Sequence, residues 1–249
     1  MTNFQEVNLG CRGGMHAALD WFFGHVDQGI ILEDDLVVSP QALPWLNHGL
    51  AEFRRDDVWL ISGNKQSALR SYVRPSLTVI PHIWGWATWA ERWNSHDKTL
   101  AFWKDYRESA GFPGVFRSAR LASQLRADID NAYHGVVDTW DLGFMADMWH
   151  HRGFVVSPPA NLVSNSGFDE RATHTKGPSW EAGLPLYRIP QRALQRSPRV
   201  SRIADFLETR MLWGARKTKS RLRALALFLW NPLHSMFGLQ PWAGPRTPL

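Results

Sequence analysis

The stretch Gly29-Ile30-Ile31-Leu32-Glu33-Asp34-Asp35 is a short apolar run of β type that ends in three consecutive carboxylates and continues as Leu36-Val37-Val38-Ser39-Pro40. A strand buried in a parallel sheet reads as unbroken apolar residues, and open α/β sheets bind ligands where such strands end. Three adjacent negative charges at that point repel one another unless something positive compensates them. Hard oxygen ligands suit Mg²⁺ or Mn²⁺, so a divalent cation holding a diphosphate fits the position. Taken alone, the run reads first as an acidic surface turn, and it is blocks elsewhere in the chain that reverse this.

Working outward, Phe4–Val7 reads as the end of a strand, and Asn8-Leu9-Gly10 turns it into a helix from about Gly13 to His25. Met15, Ala18, Leu19, Phe22 and Val26 recur there at helical spacing. Pro40 opens a helix through Leu46, Leu50 and Phe53. Val58–Gly63 and Leu77–Ile80 read as strands, the second running into Pro81-His82-Ile83-Trp84-Gly85-Trp86-Ala87-Thr88-Trp89. A helix over Val115–Ile129 follows, then Asp138-Thr139-Trp140-Asp141 opens a helix that Gly153 ends, and Phe154–Ser157 is a late strand. Pro178–Pro198 is proline-rich and reads as a linker to helices over Ser201–Trp213 and Lys217–Trp230. Strand–helix alternation predicts an α/β layered fold.

Hydrophobic residues make up 44% of the 249, enough for a core and too many for a disordered chain. The single cysteine, Cys11, rules out an internal disulfide and points to a reduced, cytoplasmic setting. The stretch from Arg188 to Leu249 carries 12 Lys+Arg against two Asp+Glu, a net +10, so the remainder is −5. The pI of 9.7 therefore belongs to the tail, and an acidic body argues against a nucleic-acid partner.

Several blocks carry chemistry. Glycine beside Asn8 at a strand-to-helix turn lets a backbone approach an anion at a helix N-terminus, although an ordinary tight turn has the same composition. Trp84-Gly85-Trp86 offers rings to stack a pyranose, with Gly85 admitting it; packed aromatics in a core look the same. Asp138 and Asp141, three residues apart at a helix start, fall on one face. Asp138 suits an N-cap. Asp141, beside Trp140, suits a general base, because an apolar neighbour raises a carboxylate's pKa. His174 offers an imidazole for a metal, or simply polar surface.

In this order the blocks Asn8–Cys11, Gly29–Asp35, Pro81–Trp89, Asp138–Asp141, Asn161–Asn165 and His174–Lys176 resemble those of GT-A fold glycosyltransferases. The likeness is to bacterial family 2-like nucleotide-diphospho-sugar transferases with an EDD version of the DXD motif. The resemblance spans roughly Phe4 to Lys176. It implies a Rossmann-like GT-A domain over residues 1–180, incomplete at its N-terminus because the family's first β-α unit is absent, then a linker and basic helical extension over 181–249. It implies a metal-dependent, inverting transfer from a nucleotide-diphosphate sugar, UDP being the first candidate, to a glycan or lipid-linked hydroxyl. Asp35 and His174 would hold Mn²⁺ or Mg²⁺. Asn8, Gly10, Glu33, Asp34, Trp84, Gly85 and Trp86 would meet the donor. Asp141, with Asp138 beside it, would supply the base. The rival expectation is an inactive remnant serving as an interaction module.

Arg216–Arg223, followed by the apolar Ala224–Trp230, is too short to span a bilayer but suits the interface of an anionic membrane. The expected location is cytoplasmic, with peripheral contact at the inner face of the cell membrane.

Overall fold

A computed structural model describes residues 1–66, 74–116, 118–167, 183–201 and 205. Its elements, in chain order, are α1 (Gly10–Phe23), β1 (Gln28–Ile31), β2 (Leu36–Val38), α2 (Ala42–Glu52), β3 (Val58–Ser62), β4 (Ser76–Thr78), β5 (Trp86–Trp89) and α3 (Ala90–Asn94). These are followed by α4 (Trp103–Tyr106), α5 (Gly111–Val115), α6 (Ala119–Tyr133), α7 (Asp141–His150), β6 (Phe154–Ser157), β7 (Val163–Asn165), α8 (Gln191–Leu194) and β8 (Arg199–Val200). Six strands form a mixed sheet in the order β1-β5-β3-β6-β4-β8, and β2 pairs with β7 in a sheet of their own. β3 and β6 run parallel, as do β4 and β8, whereas β5 is antiparallel to both of its neighbours.

Helices cover both faces of the sheet. Buried residues of α1, α3, α6 and α7 pack with Trp59, Leu60, Trp86 and Val155. On the other face α2 and residues 187–194 cover Val58, Ile61, Ala87, Trp89 and Val156. Double cover explains why β3 and β5 are buried along their whole length and lack polar alternation. Trp59 and Leu60, neighbours in sequence, join the same core because the β3–β6 register shifts between Val58 and Leu60. The architecture is α/β, compatible with a Rossmann-like fold. Among the described residues no helix is long and apolar enough to cross a membrane.

Several expectations change. The strand leading into the carboxylates is not a buried parallel strand: β1 lies at the sheet edge, pairs antiparallel with β5, and buries fully only Ile31. Residues 4–7 form no strand, and Phe4 and Val7 stand exposed. The aromatic run 86–89 is itself strand β5, unrecognised in the sequence because tryptophan marks strands and helix entrances alike. Helix α1 starts at Gly10, three residues early, and α6 is shifted to Ala119–Tyr133 with Ser118 as its N-cap. The expected linker is packed structure from Leu186 onward: Leu186, Tyr187, Ile189, Ala193 and Leu194 are buried, and β8 extends the sheet beside β4. The two tail helices and the basic segment lie outside the described residues.

Candidate functional site

Three blocks distant in sequence meet where β1 ends. The Asn8 side chain accepts a hydrogen bond from the Gly10 amide (2.9 Å), which turns the chain into α1. The Asp138 carboxylate then accepts from the amides of Cys11 (2.7 Å) and Arg12 (3.1 Å), satisfying two donors of the α1 N-terminus that have no partner within the helix. Gly10 has a φ of +72°, and a Cβ on it would stand 2.5 Å from the Asp138 carboxylate, so glycine is required on both counts. Arg12 strengthens the junction through the carbonyls of Thr139 (3.0 Å) and Ala132. Trp140 stacks on Trp86 of β5, with ring centres 5.6 Å apart, and β5 pairs with β1. The start of α1, the end of β1 and the turn before α7 thus form one unit.

Asp141 is the first residue of α7, and Asp138 lies outside that helix, so the two do not share a helical face as the sequence predicted. Both described bonds to the Asp141 carboxylate, from the Thr139 hydroxyl and from the Leu142 amide (2.8 Å), fall on Oδ1. Its charge reaches the other blocks. Burial first, then the charges of Asp35, Asp141 and Asp34, push the Glu33 carboxyl up to about 7. Burial likewise raises the Cys11 thiol, helped by Asp141, Asp138 and Glu33 and opposed by a hydrogen bond with the Trp140 backbone. Low dielectric and repulsion between like charges are the causes of both shifts.

Asp35 is placed by the β2–β7 pair. Leu36 lies opposite Asn165, whose side-chain amide donates to Asp35 Oδ2 (3.2 Å), and Ser166 donates twice to the Asp35 carbonyl. Among the described residues Asp35 Oδ1, a buried atom, has no hydrogen-bond partner. A buried carboxylate oxygen with no donor among the described residues, beside Glu33 and Asp34, is a hard oxygen ligand of the kind a divalent cation takes, so these residues fit one. The three EDD carboxylates do not converge into a closed protein cage. Among the described residues the only close group of three metal-type ligands is Asp147, His150 and His151 near the far end of α7, with ligand atoms within 4.8 Å of one another. A site with one or two carboxylates, completed by water and substrate phosphate oxygens, is the usual arrangement for Mg²⁺. His174 lies outside the described residues.

Asp141 also lines a cleft of about 400 Å³ between α6, α7 and the segment 80–84. The cleft also holds Trp84, which is half-buried and meets both the opening and the core. Trp86, predicted to stack on a donor sugar, is fully buried between Trp140 and Phe144 and has no free face. Gly85 has a φ of +63°, and a Cβ there would press on Val163 at 2.9 Å; it is glycine because strands close on it. Asp34 is exposed. Thr139, which orients Asp141, went unrecognised in the sequence, as did the cleft residues Leu142 and Met145. Their spacing from Asp141, one and four residues along a helix, was the available signal.

No family model matches the chain, and no curated protein matches it.

Proposed function

We propose that this chain is a metal-dependent glycosyltransferase of GT-A type that moves a sugar from a nucleotide-diphosphate donor to an acceptor hydroxyl with inversion. The observation that carries the reading is the position of Asp141, whose charge acts on Glu33 of the EDD run and whose side chain lines a cleft of about 400 Å³. In this reading donor and acceptor meet at Asp141. Asp35 would hold a divalent cation, and Mn²⁺ or Mg²⁺ bound there would offset the charge that grows on the leaving diphosphate. Thr139 and the Leu142 amide fix Oδ1, leaving Oδ2 to face the acceptor.

In the transfer, the acceptor oxygen forms a bond to the anomeric carbon as its proton passes to Asp141. The anomeric carbon–oxygen bond to the diphosphate breaks, and its electron pair leaves with the nucleotide diphosphate. Trp86 and Trp140 keep the turn that carries Asp141 fixed against the sheet. The resemblance of the ordered blocks supports the same reading. The test is nucleotide-diphosphate release from UDP-sugars in Mn²⁺, with acceptor present, in the wild type and in Asp141→Asn.

A second reading, a scaffold that binds no nucleotide and serves as an interaction module, is favoured by one observation. The outer edge of β1 carries no pairing strand among the described residues, and an open edge is a docking surface for another chain.

A further inference from the structure

The cleft beside Asp141 continues well past the point where a hydroxyl would react. On α7 the residues Asp141, Leu142, Met145 and Trp149 line it, and their spacing puts them along one side of the helix. Eight residues at 1.5 Å each separate Asp141 from Trp149, so the lined wall is about 12 Å long. Ile80 and Ile83 add apolar surface from the segment before β5, and Leu125 does so from α6. The volume lies in the range of small-molecule sites, which are mostly apolar with a few placed polar groups.

We propose that this cleft takes the neutral, apolar body of an amphipathic acceptor, an alkyl chain or aromatic ring bearing the hydroxyl that reaches Asp141. The inference rests on the glycosyltransferase reading and names its acceptor class. A purely saccharide acceptor would need hydrogen-bonding groups along its length, and the α7 wall beyond Asp141 offers none: Leu142 and Met145 are apolar, and the Trp149 indole N–H is already committed to the Val79 carbonyl at 2.7 Å. Methionine also adapts to varied apolar shapes. Among the described residues the polar groups at the cleft are Asp141 and Thr139 at one end, Asp128 and Asn131 on α6, and His82 and Gln66.

The experiment is a calorimetric titration of the full chain, without donor, with methyl, butyl and octyl β-D-glucopyranosides and with 4-nitrophenyl β-D-glucopyranoside, below the micelle-forming concentration. Each fully buried methylene is expected to tighten binding by about fourfold, and octyl should exceed methyl by at least about tenfold. The butyl-to-octyl increment and the nitrophenyl result tell a chain-shaped from a ring-shaped occupant. Leu142→Gln and Met145→Gln, at half-buried positions, should each remove most of the octyl advantage while leaving UDP binding in Mn²⁺ unchanged. Equal affinity for methyl and octyl glucosides in the wild type overturns the inference without recourse to any variant. Octyl-selective binding in a chain that does not bind UDP would leave the apolar site standing and overturn the glycosyltransferase reading instead.

Discussion

The carboxylate of Asp138 closes the N-terminus of α1, accepting hydrogen bonds from the amides of Cys11 and Arg12 at 2.7 and 3.1 Å across more than 120 residues of sequence. This single side chain joins the first helix to the turn that carries Asp141. It gives Asp138 a positioning role and leaves Asp141 as the carboxylate of the pair that faces the cleft.

Replacing Asp138 with alanine should therefore act on stability. A lost helix cap costs about 0.5–2 kcal/mol, and Asp138→Asn should restore part of it. Urea unfolding of the two variants against wild type measures the difference. A destabilisation near zero would mean that the cap contributes nothing in solution.

Asp141→Asn should lower transfer by about 10²–10⁴-fold, the contribution usual for a general base, with donor affinity and melting temperature little changed. The check is single-turnover transfer beside equilibrium donor binding. Full activity in this variant would require another base.

Much of this arrangement was legible in the sequence. The periodic apolar positions of α1, α2 and α7 and the strand over 58–62 follow from local patterning, and the EDD and DTWD blocks do come together. What failed depended on partners distant in sequence. Nothing local shows that β1 lies at an edge, because Gly29-Ile30-Ile31 is equally apolar at an edge or in the middle of a sheet. Trp84 and Trp86 are indistinguishable by composition, yet one opens onto the cleft and the other fills the core. Asp138 does cap a helix, as its residue type predicted, but that helix is α1 rather than the one it precedes. The three-residue strands β2 and β7, which place Asn165 against Asp35, are too short to carry a period of their own.

The contrast between the two tryptophans can be measured. Trp86→Ala should cost about 3–5 kcal/mol, the usual range for emptying a buried aromatic site, and unfold much of the protein at moderate temperature. Trp84→Ala should cost less and change ligand binding in the cleft. Denaturant melts paired with glucoside titrations separate the effects, and equal destabilisation by both would contradict the burial difference.

Glu33 predicts a pH dependence. Its folded pKa of about 7 lies above the ordinary 4.5, so between those values the native state binds more protons than the unfolded state, and stability falls as pH rises. Metal-free Glu33→Gln should escape this loss, its melting temperature gaining on wild type from pH 5 to pH 8. Mn²⁺ should reduce the advantage by favouring the ionised glutamate in the wild type. A difference independent of pH would place the Glu33 titration elsewhere.

The most direct test of the central claim is calorimetric titration of the full chain with UDP, first in Mn²⁺ and then in EDTA, alongside Asp35→Asn. The account predicts binding in Mn²⁺ that disappears in EDTA and in the variant, as expected if a cation at Asp35 bridges protein and diphosphate. UDP binding of equal strength with and without Mn²⁺, or none by the folded wild-type chain, would contradict it.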